Sequence, residues 1–314
     1  MNADLWPPLP YTQWKDTYET LHLWTQVVGK IRLARTPWLN HSWHVALYVT
    51  AKGLTTSPIP APDGRVFGIE FDFNRHVLTV DVSDGAGREI PLRPMSVAEF
   101  YALLMQAIAE LHLDVKIQTM PCEIAGAIPF DKDQVHASYD ARYANRFWRA
   151  LTQADRLFKQ FRTGFLGKSS PVHFFWGSFD LAVTRFSGRT APKFEGNVPG
   201  LAIEVMQEAY SHEVSSAGFW PGGNGVDASF YSYAYPTPAG FRNYPVEPAE
   251  AQFSEALGEF LLPYEAVRNC ADPDAAVLRF LQTTYEAAAT SADWDRTSLE
   301  CNQGTAGLPR NPGF

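Results

Sequence analysis

The chain has 314 residues, 46% of them hydrophobic and 19% charged, with a formal net charge of −8. An acidic chain is a poor general partner for nucleic acid, and no apolar run approaches the roughly 20 residues that span a bilayer, so we expect neither partner. The three cysteines are far apart and form no CxxC motif or disulfide framework. Because the amino terminus also lacks a signal-peptide pattern, we expect a cytoplasmic protein.

Four helices are predicted from the hydrophobic pattern. Apolar side chains recur at steps of three and four over 12–34, and again over 140–165. A capping box of Ser and Glu opens a helix over 96–112. The last helix covers 273–289 and follows an Asp-Pro start signal.

Extended segments are predicted between these helices. Strict alternation of apolar and polar residues predicts strands over 66–73 and 77–83. Further extended segments are predicted over 43–50, 88–92, 114–117, 172–186, 203–219 and 230–235. Strands that meander between flanking helices predict an α+β fold with antiparallel sheets.

The irregular stretch 118–138 suggests a boundary between two halves. It divides the chain into an amino-terminal half (1–120), a carboxy-terminal half (121–300) and an irregular tail (301–314). Each half has a long helix, a strand opening near a histidine, a meander and a closing helix. The halves could therefore be a tandem duplication, or they could share an order that α+β chains often repeat by chance.

Two aromatic runs, 171–189 and 210–223, contain many polar residues for buried strands. Each buried polar group needs a partner, so we interpret these runs as walls of a pocket. In a continuous strand over 172–186, alternation places Trp176, Ser178 and Asp180 on one face. If the polar faces of three segments converge, they line one cavity with His44, Tyr48, Trp176, Asp180, His212 and Ser216.

The candidate site residues follow from that cavity. His44, His212 and Asp180 are the candidate catalytic acid–base groups. Lys52 and Arg185 would hold an anionic group. The predicted ligand-binding residues are Tyr48, Lys52, Trp176, Ser178, Arg185, Ser216 and Trp220.

A divalent metal ion is a second possibility for the same region. Histidines with a carboxylate suit a metal with open coordination positions, and the predicted ligands are His44, His173, His212 and Glu213. The chain has no HExxH motif, and each histidine could instead bond a backbone carbonyl in the core.

Five segments resemble those of a family of bacterial cytosolic proteins known only as a domain of unknown function. These segments are 21–32, 44–60, 136–140, 171–189 and 210–222, and the runs PVHFFWGSFDLAVTRFSGR and YSHEVSSAGFWPGG are the most specific. The resemblance covers most of the chain apart from the tail. It implies one full-length unit and no particular activity.

Three classes of function fit these patterns. The first is a small-molecule enzyme with a His/carboxylate site in an aromatic-lined cavity, with or without a metal. The second is a non-catalytic protein that binds a sugar or an aromatic metabolite. The third is an assembly subunit whose aromatic side chains form an interface.

Overall fold

The computed structural model of the chain describes residues 5–223 and 225–310. The helices of this part are α1 (Tyr11–Arg35), α2 (Val97–Glu110), α3 (Ala141–Arg162), α4 (Ile203–Ala209), α5 (Tyr264–Asn269), α6 (Pro273–Ser291) and α7 (Arg296–Leu299). None of them combines the length and apolarity needed to cross a bilayer.

The strands form two antiparallel sheets of six strands each, so the predicted α+β class is confirmed. The first sheet contains β1 (Tyr48–Val49), β2 (Gly53–Thr55), β3 (Ile59–Pro60), β4 (Val66–Asp72), β5 (Val77–Val82) and β6 (Gly87–Pro91), in the order β1-β2-β4-β5-β6 with β3 paired to β4. The second contains β7 (His173–Phe175), β8 (Asp180–Thr190), β9 (His212–Trp220), β10 (Ser229–Tyr235), β11 (Gln252–Ser254) and β12 (Glu259–Pro263), in the order β11-β12-β10-β9-β8-β7.

Helix α1 lies at the centre of the core, which explains why it is buried on most of its circumference. Its Trp24 stacks on Phe100 of α2 with ring centroids 4.7 Å apart. Its Trp14 packs against Phe147 of α3 at 5.5 Å. Large aromatic side chains bury the most apolar surface per residue, so these contacts stabilise the packing of α1 against both neighbouring helices.

The second sheet is covered on both faces. Leu181 and Val183 of β8 point to the face that packs against α3, and both are buried. The alternate residues of β8 point to the opposite face, which is covered by α4 and by the loops around residues 41–43 and 121–123. Polar groups on that second face are therefore shielded from bulk water.

The segment predicted as one strand over 172–186 is instead a hairpin. Phe175 pairs with Asp180, and residues 176–179 form the turn between β7 and β8. Gly177 and Ser178 are ordinary turn residues, and Phe179 adopts a left-handed φ of 59°. Trp176 therefore does not share a strand face with Asp180.

Three other predicted segments are also corrected. Residues 43–50 form a turn followed by the two-residue strand β1, and no strand forms over 114–117. The segment 203–219 begins as helix α4 and becomes extended only at β9. The apolar spacing of Ile203, Val205 and Met206 fits a short amphipathic helix as well as a strand.

The predicted division into 1–120 and 121–300 assigns one sheet to each half, and its exact boundary stays a prediction. The buried apolar residues of both halves form one continuous core. Leu47 and Phe174 exchange two backbone hydrogen bonds of 2.8 and 2.9 Å across the halves. His44 lies in a turn, whereas His173 is the first residue of β7. The two halves therefore do not share a histidine at the start of a corresponding strand, as a duplication would predict.

Phe147 connects the core elements, and its truncation tests the packing. Its ring contacts Trp14, Phe73, Phe174 and Phe179, with centroids 5.1–6.4 Å apart. We expect Phe147→Ala to lower the free energy of unfolding by about 3–5 kcal/mol, through lost burial and a residual cavity. Urea denaturation measures this.

The matched control is Leu257→Ala, since the Leu257 side chain is 57% exposed. We expect its effect to stay within about 0.5 kcal/mol. A loss at Phe147 no larger than that of the control would contradict the central role of this ring.

Candidate functional site

A cavity of about 460 Å³ lies on the covered face of the second sheet. This size falls in the range of small-molecule sites. Strands β8, β9, β10 and β12 form its floor, and the segments around 41–43, 121–123 and 198–210 form its walls and roof. The polar floor residues are Asp180, Thr184, Ser216, Ser229, Tyr231, Tyr233 and Glu259.

Strand register explains why these polar groups meet. Thr184 pairs with Ser216, and Ser216 pairs with Tyr233 on the next strand. Directly paired residues of an antiparallel sheet point to the same face, so the three side chains form one polar row. The Thr184 and Ser216 hydroxyls are 2.9 Å apart and share a hydrogen bond.

Asp180 is the most constrained acid of the cavity, with only 6% of its surface exposed. The hydroxyl of Ser178 donates to one carboxyl oxygen and the hydroxyl of Tyr231 donates to the other. Burial raises the pKa of Asp180, and these two hydrogen bonds oppose that rise. Both oxygens are therefore occupied by protein donors.

Glu123 and Glu259 face the same cavity without such donors. Burial, with a smaller contribution from the charge of Asp180, raises the pKa of Glu123 and of Glu259 to about 7 each. Across the described residues, neither carboxyl has a hydrogen bond or an ion pair. Two acids that exchange protons near neutral pH thus flank a third in one cavity, an arrangement typical of functional sites.

Hydrogen bonds to the backbone of Cys122 and Glu123, and the absence of a side chain at Gly177, position the Glu123 carboxyl. The side-chain amide of Gln26 on α1 accepts from the Cys122 backbone N–H and donates to the Cys122 carbonyl, both at 2.9 Å. The Glu123 N–H donates to the Pro199 carbonyl at 2.7 Å, and its φ is 60°. A Cβ at Gly177 would lie 2.0 Å from the Glu123 carboxyl, so any larger residue here would displace that carboxyl from its present position.

Three tyrosines form the aromatic part of the floor. The rings of Tyr231 and Tyr233 stack with centroids 6.2 Å apart, and the Tyr210 and Tyr233 hydroxyls are 3.1 Å apart. A Cβ at Gly218 would lie 2.3 Å from the Tyr231 hydroxyl. Gly218 therefore lets the Tyr231 ring cross β9 and reach Asp180.

The roof is anchored through α4 and residues 38–43. The indole N–H of Trp38 donates to the Glu208 carboxylate of α4. His41 Nδ1 donates to the Ala209 carbonyl at 2.9 Å, so its Nε2 accepts from Lys168 Nζ at 2.8 Å. Burial, together with the charge of Lys168, lowers the pKa of His41, which favours the neutral ring.

The structure brings four of the predicted site residues to the cavity: Asp180, Ser178, Ser216 and Trp220. Trp176 lies elsewhere, with its indole N–H donating to the Val45 carbonyl at 2.8 Å. Arg185 points to the opposite face of the sheet, where its guanidinium lies 3.5 Å from the centroid of the Phe161 ring. Neither residue lines the cavity.

The predicted histidines do not converge on Asp180. His44 lies 3.2 Å from both the backbone N–H and the carbonyl of Leu39, and its ring packs on Trp38. His173 is buried with no hydrogen-bond partner on either ring nitrogen, and burial lowers its pKa to about 3. His212 lies beside His41 outside the cavity, with ring centroids 6.3 Å apart.

The predicted metal ligands are likewise dispersed. Within residues 5–223 and 225–310, no three His, Cys, Asp or Glu side chains are grouped to hold one metal ion. Glu213 instead pairs with Arg189 at 2.7 Å. The structure therefore offers no grouped ligand set for the metal hypothesis.

Tyr48 and Lys52 belong to the region of the first sheet. The Tyr48 ring lies 5.3 Å from the Arg32 guanidinium, and Lys52 Nζ lies 3.7 Å from the Glu70 carboxylate. Neither side chain reaches the cavity, so the anion-binding role predicted for Lys52 has no support from this geometry.

Sequence reasoning missed Glu123 and Glu259, whereas Tyr210 belongs to the run 210–223 that was interpreted as a pocket wall. Glu123 lies in an irregular segment, where no periodicity marks a buried side chain. Glu259 follows a turn glycine and begins a short strand, and its alternation with Phe260 is the only signal that could have placed it on a sheet face.

Gly218→Ala tests the close approach of Tyr231. The new methyl group would meet the Tyr231 hydroxyl and, at 2.5 Å, the Leu181 carbonyl. We expect overpacking to lower the free energy of unfolding by about 1–3 kcal/mol, measured by urea denaturation. The control is Gly68→Ala in β4, where the nearest atom lies 3.9 Å away, and equal effects of the two changes would refute the packing argument.

The raised pKa values predict a pH-dependent stability. Folding raises the pKa of Glu123 and Glu259 from 4.5 to about 7, so their protonation stabilises the folded chain relative to the unfolded one. This stabilisation is complete below pH 4.5 and is lost as the pH rises through about 7. We therefore expect Glu123→Gln and Glu259→Gln each to lose less stability than the wild type between pH 5 and pH 8. Thermal unfolding across this range measures the difference.

The control for that series is Glu255→Gln, because Glu255 is exposed on the turn before β12 and pairs only with Arg242. We expect its pH profile to follow the wild type. Parallel profiles for all four proteins would show that the two buried acids have ordinary pKa values.

Comparison with known proteins supplies a family and no activity. A model described as a family of unknown function (DUF5996) matches residues 6–301, which include both sheets and every residue that lines the cavity. The chain has no significant match among curated proteins or solved structures. The match extends over nearly the whole sequence, and the chain belongs to this family of unknown function, DUF5996.

Proposed function

We propose that the protein is a small-molecule enzyme whose proton-transfer groups are the carboxyls of the cavity rather than histidines. The observation that carries this proposal is the placement of Glu123 and Glu259, without partners among the described residues, in the same cavity as Asp180. Near pH 7 each glutamate can donate a proton in its acid form or accept one as carboxylate, as general acid–base catalysis requires.

The neighbouring groups have supporting roles in this proposal. Asp180 is held in one orientation by Ser178 and Tyr231, and its charge adds to the effect of burial, which is the main cause of the raised pKa of both glutamates. The hydroxyls of Tyr210 and Tyr233 bind polar atoms of the substrate, and Trp220 contributes an apolar wall. A cytoplasmic location without a nucleic-acid partner is part of the same proposal, in keeping with the net charge of −8.

A thermal-shift screen of a metabolite library, followed by turnover assays on the stabilising compounds, tests the proposal. We expect a compound that is both bound and converted, with a bell-shaped pH profile centred near pH 7. Glu123→Gln and Glu259→Gln should each lower kcat by about 10²- to 10⁴-fold. Glu255→Gln is the control that should keep wild-type activity.

Non-catalytic binding of a small ligand is the second candidate function. The occupied oxygens of Asp180 and the stacked tyrosines favour it, since both features serve binding without a chemical step. Compounds that stabilise the protein but are never converted would support this candidate and overturn the enzymatic proposal.

A further inference from the structure

We infer that the cavity selects an organic cation, whose protonated amine faces the acidic lining formed by Glu123, Asp180 and Glu259 and whose apolar body lies against the tyrosine rings. This inference rests on the proposed small-molecule site and names the chemical class of its ligand. It is carried by the charges, the unused acceptors and the rings that line one cavity.

The charges of the cavity wall are almost all of one sign. Three carboxyls line the space, whereas His41 is the only Lys, Arg or His among its described lining residues. His41 contacts Phe186 of β8, six residues from Asp180, which is about 20 Å along an extended strand. No basic side chain of the described lining therefore neutralises the three acids.

The oxygen atoms of Glu123 and Glu259 are unused acceptors. Buried carboxylates in proteins are normally paired or hydrogen-bonded, because an isolated charge is costly away from water. An ammonium group carries three donors and one positive charge, so it supplies both the hydrogen bond and the counter-charge that a buried carboxylate lacks. A neutral alcohol supplies one donor and no charge.

The rings favour the same ligand class. Tyr210, Tyr231, Tyr233 and Trp220 line the cavity together with Phe175. Their faces attract cations, and the attraction grows when the cation is shielded from water. An aromatic body attached to the amine also finds apolar surface here, and the 460 Å³ volume accommodates both parts.

The inference predicts the sign of a pH dependence. The titratable groups that face the two glutamates are Asp180 of β8, Tyr231 and Tyr233 of β10, Tyr210 after α4, and the Cys122 thiol with Lys30 beyond it. Burial raises the pKa of each tyrosine and of Cys122, so the carboxyls dominate titration between pH 5.5 and 8. Affinity for a cation should rise across this range as the glutamates ionise.

The test compares amines with alcohols of the same shape. Benzylamine, tyramine and tryptamine are paired with benzyl alcohol, tyrosol and tryptophol, and 4-hydroxyphenylacetate represents the anions. Isothermal titration of the wild-type protein at pH 8 and pH 5.5 gives each Kd. We expect at least one amine to bind tenfold or more tightly than its alcohol at pH 8, with this preference shrinking at pH 5.5.

Variants locate the effect in the cavity. Glu123→Gln and Glu259→Gln should each weaken the amine at least tenfold while changing the affinity of the matched alcohol by less than threefold. Retained alcohol binding also shows that the variant cavity is folded. Glu255→Gln, on the exposed turn, should bind every probe as the wild type does.

Four results would overturn the inference: equal affinities for amine and alcohol, tighter binding of the anion, stronger amine binding at pH 5.5, or no binding by any amine. None of these results contradicts the acid–base proposal, which is supported if a neutral library compound is converted and this conversion depends on Glu123 and Glu259. An amine that binds as expected supports the inference whether or not it is converted, and the turnover assays on library compounds decide the enzymatic proposal separately.

Discussion

The covering of both faces of the second sheet is the constraint on which the site depends. One face packs against α3, and the other is roofed by α4 and by the loops around 41–43 and 121–123. A sheet face open to water would leave its carboxyls with ordinary pKa values. Because the roof limits the access of bulk water, burial is the largest influence on the pKa of the acids that point into this space.

The site is assembled from distant parts of the chain by a few close contacts. The side-chain amide of Gln26 on α1 makes two hydrogen bonds to the Cys122 backbone, and these position the adjacent Glu123 at the cavity. Gly177 and Gly218 leave room for the Glu123 carboxyl and the Tyr231 ring, respectively. Because neither glycine has a side chain, the Glu123 carboxyl and the Tyr231 hydroxyl can approach Asp180.

The same arrangement works against stability. Two partly buried glutamates without partners destabilise the folded chain at neutral pH, and left-handed backbone at Glu123, His41 and Ser42 adds strain around the cavity. Packing elsewhere offsets this, above all the aromatic core around α1 and Phe147. Proteins commonly accept such local destabilisation where a binding or catalytic site requires it.

The sequence by itself determined the four long helices α1, α2, α3 and α6, the regular strands β4 and β5, and the α+β class, because 3.6-residue and two-residue periodicities report directly on local structure. It also marked the aromatic runs as pocket walls, and Asp180, Ser178, Ser216 and Trp220 do line the cavity. The hairpin turn at 176–179 escaped prediction, because a run of apolar residues hides a turn as easily as it marks a strand.

Only the tertiary structure decided which side chains meet. Strand register places the Tyr231 ring over Gly218, within reach of Asp180. The hydrogen bonds between Gln26 and Cys122 place Glu123, which lies in an irregular loop, at the same cavity. No local pattern encodes contacts between residues about 100 positions apart in the chain. The histidines that were predicted to be catalytic, His44 and His212, therefore lie outside the cavity, and two glutamates that the sequence analysis did not single out lie inside it.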